Sequence, residues 1–411
     1  MVVKKKVEAI IWGAGKIGRG FLAEIFTDAG YHLNFIEYDK ELVKKLKEAD
    51  SYTIFKVMGE DNQEEVVIRD FTTYHSQDGK AISELVARDN TIIAIAVHQS
   101  ALPEVVKILV PGIVEKARRD PESTLDIILC INMSHPAAYC RELLEEHLPE
   151  ELHPYLEHNI GLSDSVVMRI SPEATREMLA KDPLAVLNNG YPEMPVDKKA
   201  FKGIIPATKM LRPTEQIDAE EKRKIYTLNM AHVMLAYLGT PRGYDYAADS
   251  IRDPEIREAV SGALEEAGRG LANKYGFTAE DMASWNLDII KTLENPTLKD
   301  KLSRLGSDSR RKLGRKDRLV GPALLALAAG TTPFYLAQGI AYGFKFRGDE
   351  EGSREVQSYL KEKGIEEAIK RFCGLEDGEL FNLIKEIYGE ISQEERILTK
   401  EEIKLLNKIR H

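Results

Sequence analysis

The sequence predicts an α/β protein, with a doubly wound parallel sheet in the N-terminal half followed by a mainly α-helical C-terminal domain. Three observations carry that expectation. Short β-rich runs alternate with helical patterns from Val7 to about Ser134, as in parallel strands joined by crossover helices. A glycine motif, Gly13 to Gly18, sits directly after the first run. Beyond Pro213 the pattern is helical almost throughout. A chain of 411 residues has material for two cores, and the expected division gives residues 1–200 to the sheet domain and 201–411 to the helical one.

The expected strands are Glu8 to Trp12, Leu33 to Ile36, Thr91 to Val97 and Leu125 to Ile131. The last two are nearly continuous apolar runs, which suits central strands covered on both faces. Lys4 to Lys6 ahead of the first run resemble the start of a secretory signal, but the apolar stretch behind them is short and runs into glycines, so a first strand is the better reading. Prolines between Gly161 and Ile205, the short run Leu184 to Leu187 and the turn Asn188-Asn189-Gly190 mark the expected junction. A helix is expected from Asp218, as N-cap, to Gly239. In the tail, Asp349 to His411, apolar Ile365, Ile369 and Phe372 recur at helical spacing among Glu and Lys, as on surface helices.

Composition excludes several classes of function. No run approaches the roughly 20 apolar residues that cross a bilayer, so no membrane partner is expected. A net charge of −10 opposes binding to nucleic acid, which needs a basic surface. Cys130, Cys140 and Cys373 form neither a disulfide framework nor a zinc-ligand pattern, which suits a reducing cytoplasm.

Gly13-Ala14-Gly15-Lys16-Ile17-Gly18 is a G-x-G-x-x-G between an apolar strand and a helical run, Phe21 to Ala29. In that context it is a Rossmann dinucleotide fingerprint: the first glycine permits the tight turn, the second lets the backbone approach a pyrophosphate, and the third lets helix and strand pack closely. The helix N-terminus then presents free N–H groups to the phosphates. Glu37, 19 residues after Gly18, is placed to accept from the adenosine ribose hydroxyls and to repel a 2′-phosphate. NAD(H) is therefore the expected cofactor, with Lys40 close enough to soften the preference over NADP. Val97, which closes the third run, is assigned to the same site.

Within Lys224-Ile225-Tyr226-Thr227-Leu228-Asn229-Met230-Ala231-His232, three polar groups interrupt an apolar helix. At about 100° per residue Asn229 lies about 140° and His232 about 80° around from Lys224, so all three share one side of a continuous helix. Oxidation of a secondary alcohol needs a base for the hydroxyl proton and donors for the developing oxyanion, and a lysine serves if burial lowers its pKa. Composition alone also allows a snorkelling lysine, a surface amide and a satisfied core histidine.

The spacing Lys224-x4-Asn229-x2-His232, with Trp12 to Phe21, Asp182-Pro183-Leu184, Phe201-Lys202-Gly203, Ala236 to Gly239, Glu294-Asn295-Pro296, Lys299-Asp300, Arg311-Lys312-Leu313 and Asp317-Arg318-Leu319, resembles the polyol-specific long-chain dehydrogenases and reductases, the mannitol dehydrogenase family. Within it the similarity is greatest to the branch that oxidises mannitol 1-phosphate at carbon 5. The resemblance implies a metal-independent oxidoreductase that interconverts a polyol phosphate and a ketose phosphate, mannitol 1-phosphate and fructose 6-phosphate, with Lys224 as general acid/base. It also implies that Asn229 and Asn132 hold the substrate oxygen and that His232 binds substrate and orients the lysine. Hexuronate reductases share the motif, so a keto-uronate such as tagaturonate or fructuronate is the alternative substrate, and a non-catalytic dinucleotide sensor is a remoter one. The expected partner is thus a small polyol or sugar phosphate, with the chain a monomer or small homo-oligomer.

The run Arg310 to Arg318 holds six basic residues and one acid. A solvated face is the common meaning of such a run; the functional one is an anion clamp. By the resemblance Arg304, Arg311, Lys312 and Arg169 belong to the substrate site. Met168 departs from the family pattern, standing where an acidic residue usually precedes that arginine, with Asp164 as a compensating carboxylate if the segment is helical.

Overall fold

A computed structural model describes residues 7–59, 62–393 and 396–408; Lys4 to Lys6 and the last residues of the tail lie outside the described residues. The chain forms two compact units, divided between Glu220 and Glu221.

The first unit is built on a six-stranded parallel sheet. Its strands are β1 (Glu8–Trp12), β2 (His32–Glu37), β5 (Phe71–His75), β6 (Thr91–Ile95), β7 (Leu125–Leu129) and β8 (Ile160–Asp164), the count including β3 (Ser51–Gly59) and β4 (Asn62–Arg69), which pair antiparallel in a separate sheet. They lie in the order β5-β2-β1-β6-β7-β8. All four expected strands are present, with Thr91 to Val97 and Leu125 to Ile131 each two residues shorter than expected. The two outer strands escaped the sequence reading because Thr72, Thr73 and His75 in one and Ser163 and Asp164 in the other break up their apolar runs, whereas Thr91–Ile95 and Leu125–Leu129 are nearly continuously apolar. Alternation sorts the core: Ala9, Ile11, Leu33, Phe35 and Ala94 pack on one face with Phe21 and Phe26, while Ile10, Trp12, Ile36, Ile93 and Ile95 pack on the other with Leu102, Val106 and Leu109. Each of the larger aliphatic and phenylalanine side chains contributes about 1.5–3 kcal/mol by burial.

The division falls beyond the expected residue 200, because the proline-rich segment is not a linker. β8 completes the main sheet, β9 (Val186–Asn188) pairs in parallel with β3, and β10 (Met194–Asp197) pairs with β11 (Leu211–Thr214). Buried Asp126 also accepts from the backbone N–H groups of Lys202 and Gly203, at 2.8 and 2.9 Å. These ties hold the chain through Thr214 to the sheet.

The second unit is helical. At its centre the Leu228–Gly239 helix is buried everywhere except at Asn229 and His232, and it packs against the helices Pro254–Tyr275, Leu302–Gly306 and Phe334–Lys345. The tail is more than a surface layer: the helix Glu379–Gln393 lies on Phe334–Lys345 and buries Phe381, Leu383, Ile384, Ile387 and Ile391. Among the described residues no helix is long and apolar enough to cross a membrane.

Candidate active site

In the first unit the chain turns sharply after β1. Gly13 sits at φ +92°, and a Cβ there would lie 2.4 Å from the Ala96 carbonyl oxygen and 3.1 Å from Val97 Cγ1. A Cβ on Gly18 would overlap the Gly13 carbonyl, whereas one on Gly15 would meet nothing within 4 Å. The turn and the helix packing thus require glycine at the first and third positions, and open space lies over the second, where a pyrophosphate needs to approach. This loop stands where the strand order reverses, between β1 and β6, at the carboxyl ends of the strands. The residues present therefore fit a dinucleotide.

Glu37 ends β2 and is buried. Its carboxylate accepts from the N–H of Ala14 at 2.8 Å, of Tyr38 at 2.8 Å and of Asp39 at 3.1 Å. It clamps the glycine loop to the second strand, and of its roughly four acceptor positions one remains for a ribose hydroxyl. Ala14, expected to contact cofactor, has thereby committed its amide to Glu37, while Ile17 packs into the core beside Phe21. Lys16 is half-exposed and pairs with Glu173 at 2.5 Å. Asn132 is exposed in the loop between β7 and the helix Pro136–His147.

Arg169 does not present itself to a substrate. It is buried, pairs with Glu24, donates to the carbonyls of Gly20 at 3.1 Å and Tyr191 at 3.0 Å, and stacks 3.9 Å above the ring of Phe21. Burial raises the Glu24 carboxyl, but Arg169 and Lys56 together bring it below the usual carboxylate range. Glu24, on the helix behind the glycine loop, is the acid that balances Arg169. Asp164 ends a strand rather than lying in a helix, and it accepts from the Ala137 N–H at 2.7 Å. Met168 is simply buried apolar surface.

The expected single helix from Asp218 to Gly239, which begins in the last residues of the first unit, is two. The first, Ile217–Tyr226, starts one residue before Asp218, so Asp218 lies in its first turn and Gln216 supplies the cap position. Buried Thr227, at φ −121° and ψ −78°, then breaks the helix, and its hydroxyl oxygen accepts from the Trp285 indole N–H at 2.8 Å. Lys224 thus belongs to the last turn of one helix and Asn229 and His232 to the next. The continuous helical wheel does not describe them, yet Lys224 and His232 lie near enough for the lysine charge to lower the histidine pKa. Asn229 and His232, three residues apart, share one face of their helix.

Lys224 is half-buried and, among the described residues, takes no ion pair or hydrogen bond through its amine. Burial, with Arg318 assisting and Glu221 opposing, lowers its pKa to about 8. Burial also lowers His232 to about 4, against Asp300 and with help from Arg304, Arg318 and Lys224, so the imidazole is neutral at neutral pH. Its Nε2 lies 3.7 Å from Asp300 Oδ2, and the other Asp300 oxygen pairs with Arg304. Asp300 and Arg318 carry much of this local charge pattern, and neither had a role in the sequence reading. The cue for each was its place in a segment shared with the family, Lys299-Asp300 and Asp317-Arg318-Leu319.

Half of the basic run is neutralised by carboxylates rather than aimed as a clamp. Arg310 pairs with Glu355 at 2.7 Å, Arg311 with Asp308 at 2.9 Å and Asp317 at 3.3 Å, and Arg318 with Asp317 at 2.7 Å. Arg315 donates to the Gly374 carbonyl at 2.7 Å. Lys312 is buried, donates to the Leu305 carbonyl at 2.7 Å, and is lowered to about 7 by burial and by the neighbouring Arg318 and Arg311. Arg304 keeps a largely exposed guanidinium despite its pair with Asp300.

Comparison with known proteins accounts for both units. The family model of the mannitol dehydrogenase Rossmann domain matches residues 7–209, and that of the mannitol dehydrogenase C-terminal domain matches residues 216–400. Among solved structures, the chain resembles Pseudomonas fluorescens mannitol 2-dehydrogenase, solved in a ternary complex with NAD and D-mannitol, with a TM-score of 0.73 at 15% identity over 100% of this chain and 95% of that one. It also resembles a D-sorbitol dehydrogenase in substrate-free form, with a TM-score of 0.80 at 17% identity over 98% of this chain and 95% of that one. At such identities these two likenesses establish the fold. With both domain models matched in order along the chain, the protein belongs to the mannitol dehydrogenase family of NAD-dependent polyol oxidoreductases.

Proposed function

We propose that the protein interconverts mannitol 1-phosphate, or a closely related polyol phosphate, and fructose 6-phosphate, with Lys224 as the general acid/base and no metal in the proton transfer. The observation that carries this reading is the unpartnered, half-buried amine of Lys224, with a pKa lowered to about 8 beside a neutral His232. A base with a pKa near the working pH exchanges protons in both directions of a reversible reaction. NAD, when bound by the glycine loop, supplies the hydride acceptor and NADH the donor. In oxidation the neutral Lys224 amine takes the hydroxyl proton as hydride leaves the same carbon. In reduction the ammonium returns that proton to the ketone oxygen. Asn229 donates to that oxygen as its charge develops, and neutral His232 hydrogen-bonds the substrate and restrains the amine.

The phosphate preference is supported by the local excess of positive charge. Arg318 lowers the pKa of Lys224, His232 and Lys312 alike, and Arg304 adds a largely exposed guanidinium. An anionic substrate group offsets that charge. A uronate carboxylate satisfies the same argument, so hexuronate reduction is the second reading. NADH oxidation measured with fructose 6-phosphate, fructose, tagaturonate and fructuronate decides between them. Selective turnover of fructose 6-phosphate is the expected result; turnover of a uronate alone would replace the phosphate reading, and turnover of unphosphorylated fructose at an equal rate would remove it.

A further inference from the structure

Tyr38, the residue after Glu37, is 81% exposed, the second most exposed large apolar side chain among the described residues. A lone exposed tyrosine is ordinary; the way this one is mounted is not. Its N–H donates to Glu37 Oε1 at 2.8 Å, and its carbonyl lies 3.0 Å from His75 Nε2. His75 Nδ1 accepts from the Gln77 N–H at 3.1 Å, so Nε2 bears the proton and donates to Tyr38. On the other side Asp39 also donates its N–H to Glu37, and its carboxylate caps the following helix through the N–H groups of Glu41 and Leu42. The backbone is thus fixed on both sides while the ring stands free at the carboxyl end of β2, and among the described residues its phenol takes no hydrogen bond.

We infer that the Tyr38 ring is the platform on which the adenine of the dinucleotide stacks. The inference rests on the cofactor reading of the glycine loop and of Glu37. In a dinucleotide the adenine is joined to the ribose carbon adjacent to the one bearing the 2′-hydroxyl. A ribose at the remaining acceptor position of Glu37 therefore carries its base to the surface one residue further along the chain, where a large π-face waits on a fixed mount. Stacking needs no hydrogen-bond partner on the ring, which agrees with the unused phenol, and it predicts that phenylalanine serves as well as tyrosine.

The test is calorimetric titration of wild type, Tyr38→Ala and Tyr38→Phe with NADH and with ADP-ribose, which keeps the adenosine half and lacks the nicotinamide. Loss of one base–aromatic stack weakens binding about tenfold. The expected result is an equal loss for both ligands in Tyr38→Ala, near wild-type affinity in Tyr38→Phe, and an unchanged Tm in both. Wild-type affinity for ADP-ribose in Tyr38→Ala would overturn the inference while leaving the cofactor reading intact. A wild-type chain that binds neither ligand would overturn both.

Discussion

The glycine loop that fits a dinucleotide and the proposed proton-transfer site are built from different materials. The loop is backbone: a positive-φ glycine, a close approach at Gly18, open space at Gly15 and three amides gathered by one carboxylate. The proton-transfer site is side chain: an amine lowered by burial, a neutral imidazole and a carboxylate that faces it. Backbone geometry constrains residue type at fixed spacing and so is written in a short motif. A side-chain site tolerates many spacings, and only the folded chain shows which groups meet.

The largest expected effect separates the two directly. Lys224→Ala removes the base and lowers kcat by about 10²–10⁴-fold, while NADH affinity measured by fluorescence titration stays as in wild type; a kcat within a few-fold of wild type would place the base elsewhere. The converse substitution, Gly13→Ala, sets a Cβ 2.4 Å from the Ala96 carbonyl at φ +92°. Such strain costs about 1–3 kcal/mol, and the displaced loop weakens NADH binding at least about tenfold, visible by calorimetry.

Smaller effects sharpen the comparison within the second unit. Asp300→Asn removes the charge facing His232 and weakens the Arg304 pair, so kcat falls roughly tenfold, on the scale of one lost charge-assisted hydrogen bond, with NADH affinity unchanged. Conserved kcat would leave Asp300 a purely structural partner of Arg304. Thr227→Val removes the acceptor of the Trp285 indole N–H and costs about 1–2 kcal/mol, read as a lower Tm in differential scanning calorimetry; an unchanged Tm would show that the helix break does not depend on that bond.

The same contrast explains what could be read from the sequence. Gly13, Gly15, Gly18 and Glu37 were legible because strand, turn and carboxylate each demand a particular residue at a particular distance. The four central strands were legible from apolar continuity, whereas Phe71–His75 and Ile160–Asp164 were hidden by the polar residues that the edges of the sheet tolerate. Lys224, Asn229 and His232 stood out through resemblance to a family, and the helix break at Thr227 between them was invisible to a periodicity argument because Thr227 makes its restraining contact with Trp285, 58 residues away. Arg169 shows the opposite failure. A basic residue beside a family motif suggested a substrate contact, and nothing in its neighbours along the chain pointed to Glu24, 145 residues earlier. Likewise the charges of Arg310, Arg311 and Arg318 counted as free only while Asp308, Asp317 and Glu355 were not known to lie beside them.

The most direct test of Lys224 as the acid/base is the pH dependence of kcat in both directions. Polyol oxidation needs the neutral amine, so its rate rises with pH and levels above about 8; ketose reduction needs the ammonium, so its rate is level below about 8 and falls above it. His232, lowered to about 4, stays neutral across that range and adds no second limb near neutrality. Two limbs of opposite sign meeting near 8, both abolished in Lys224→Ala, are the predicted result. Limbs of the same sign, or profiles that persist without the lysine, would contradict it.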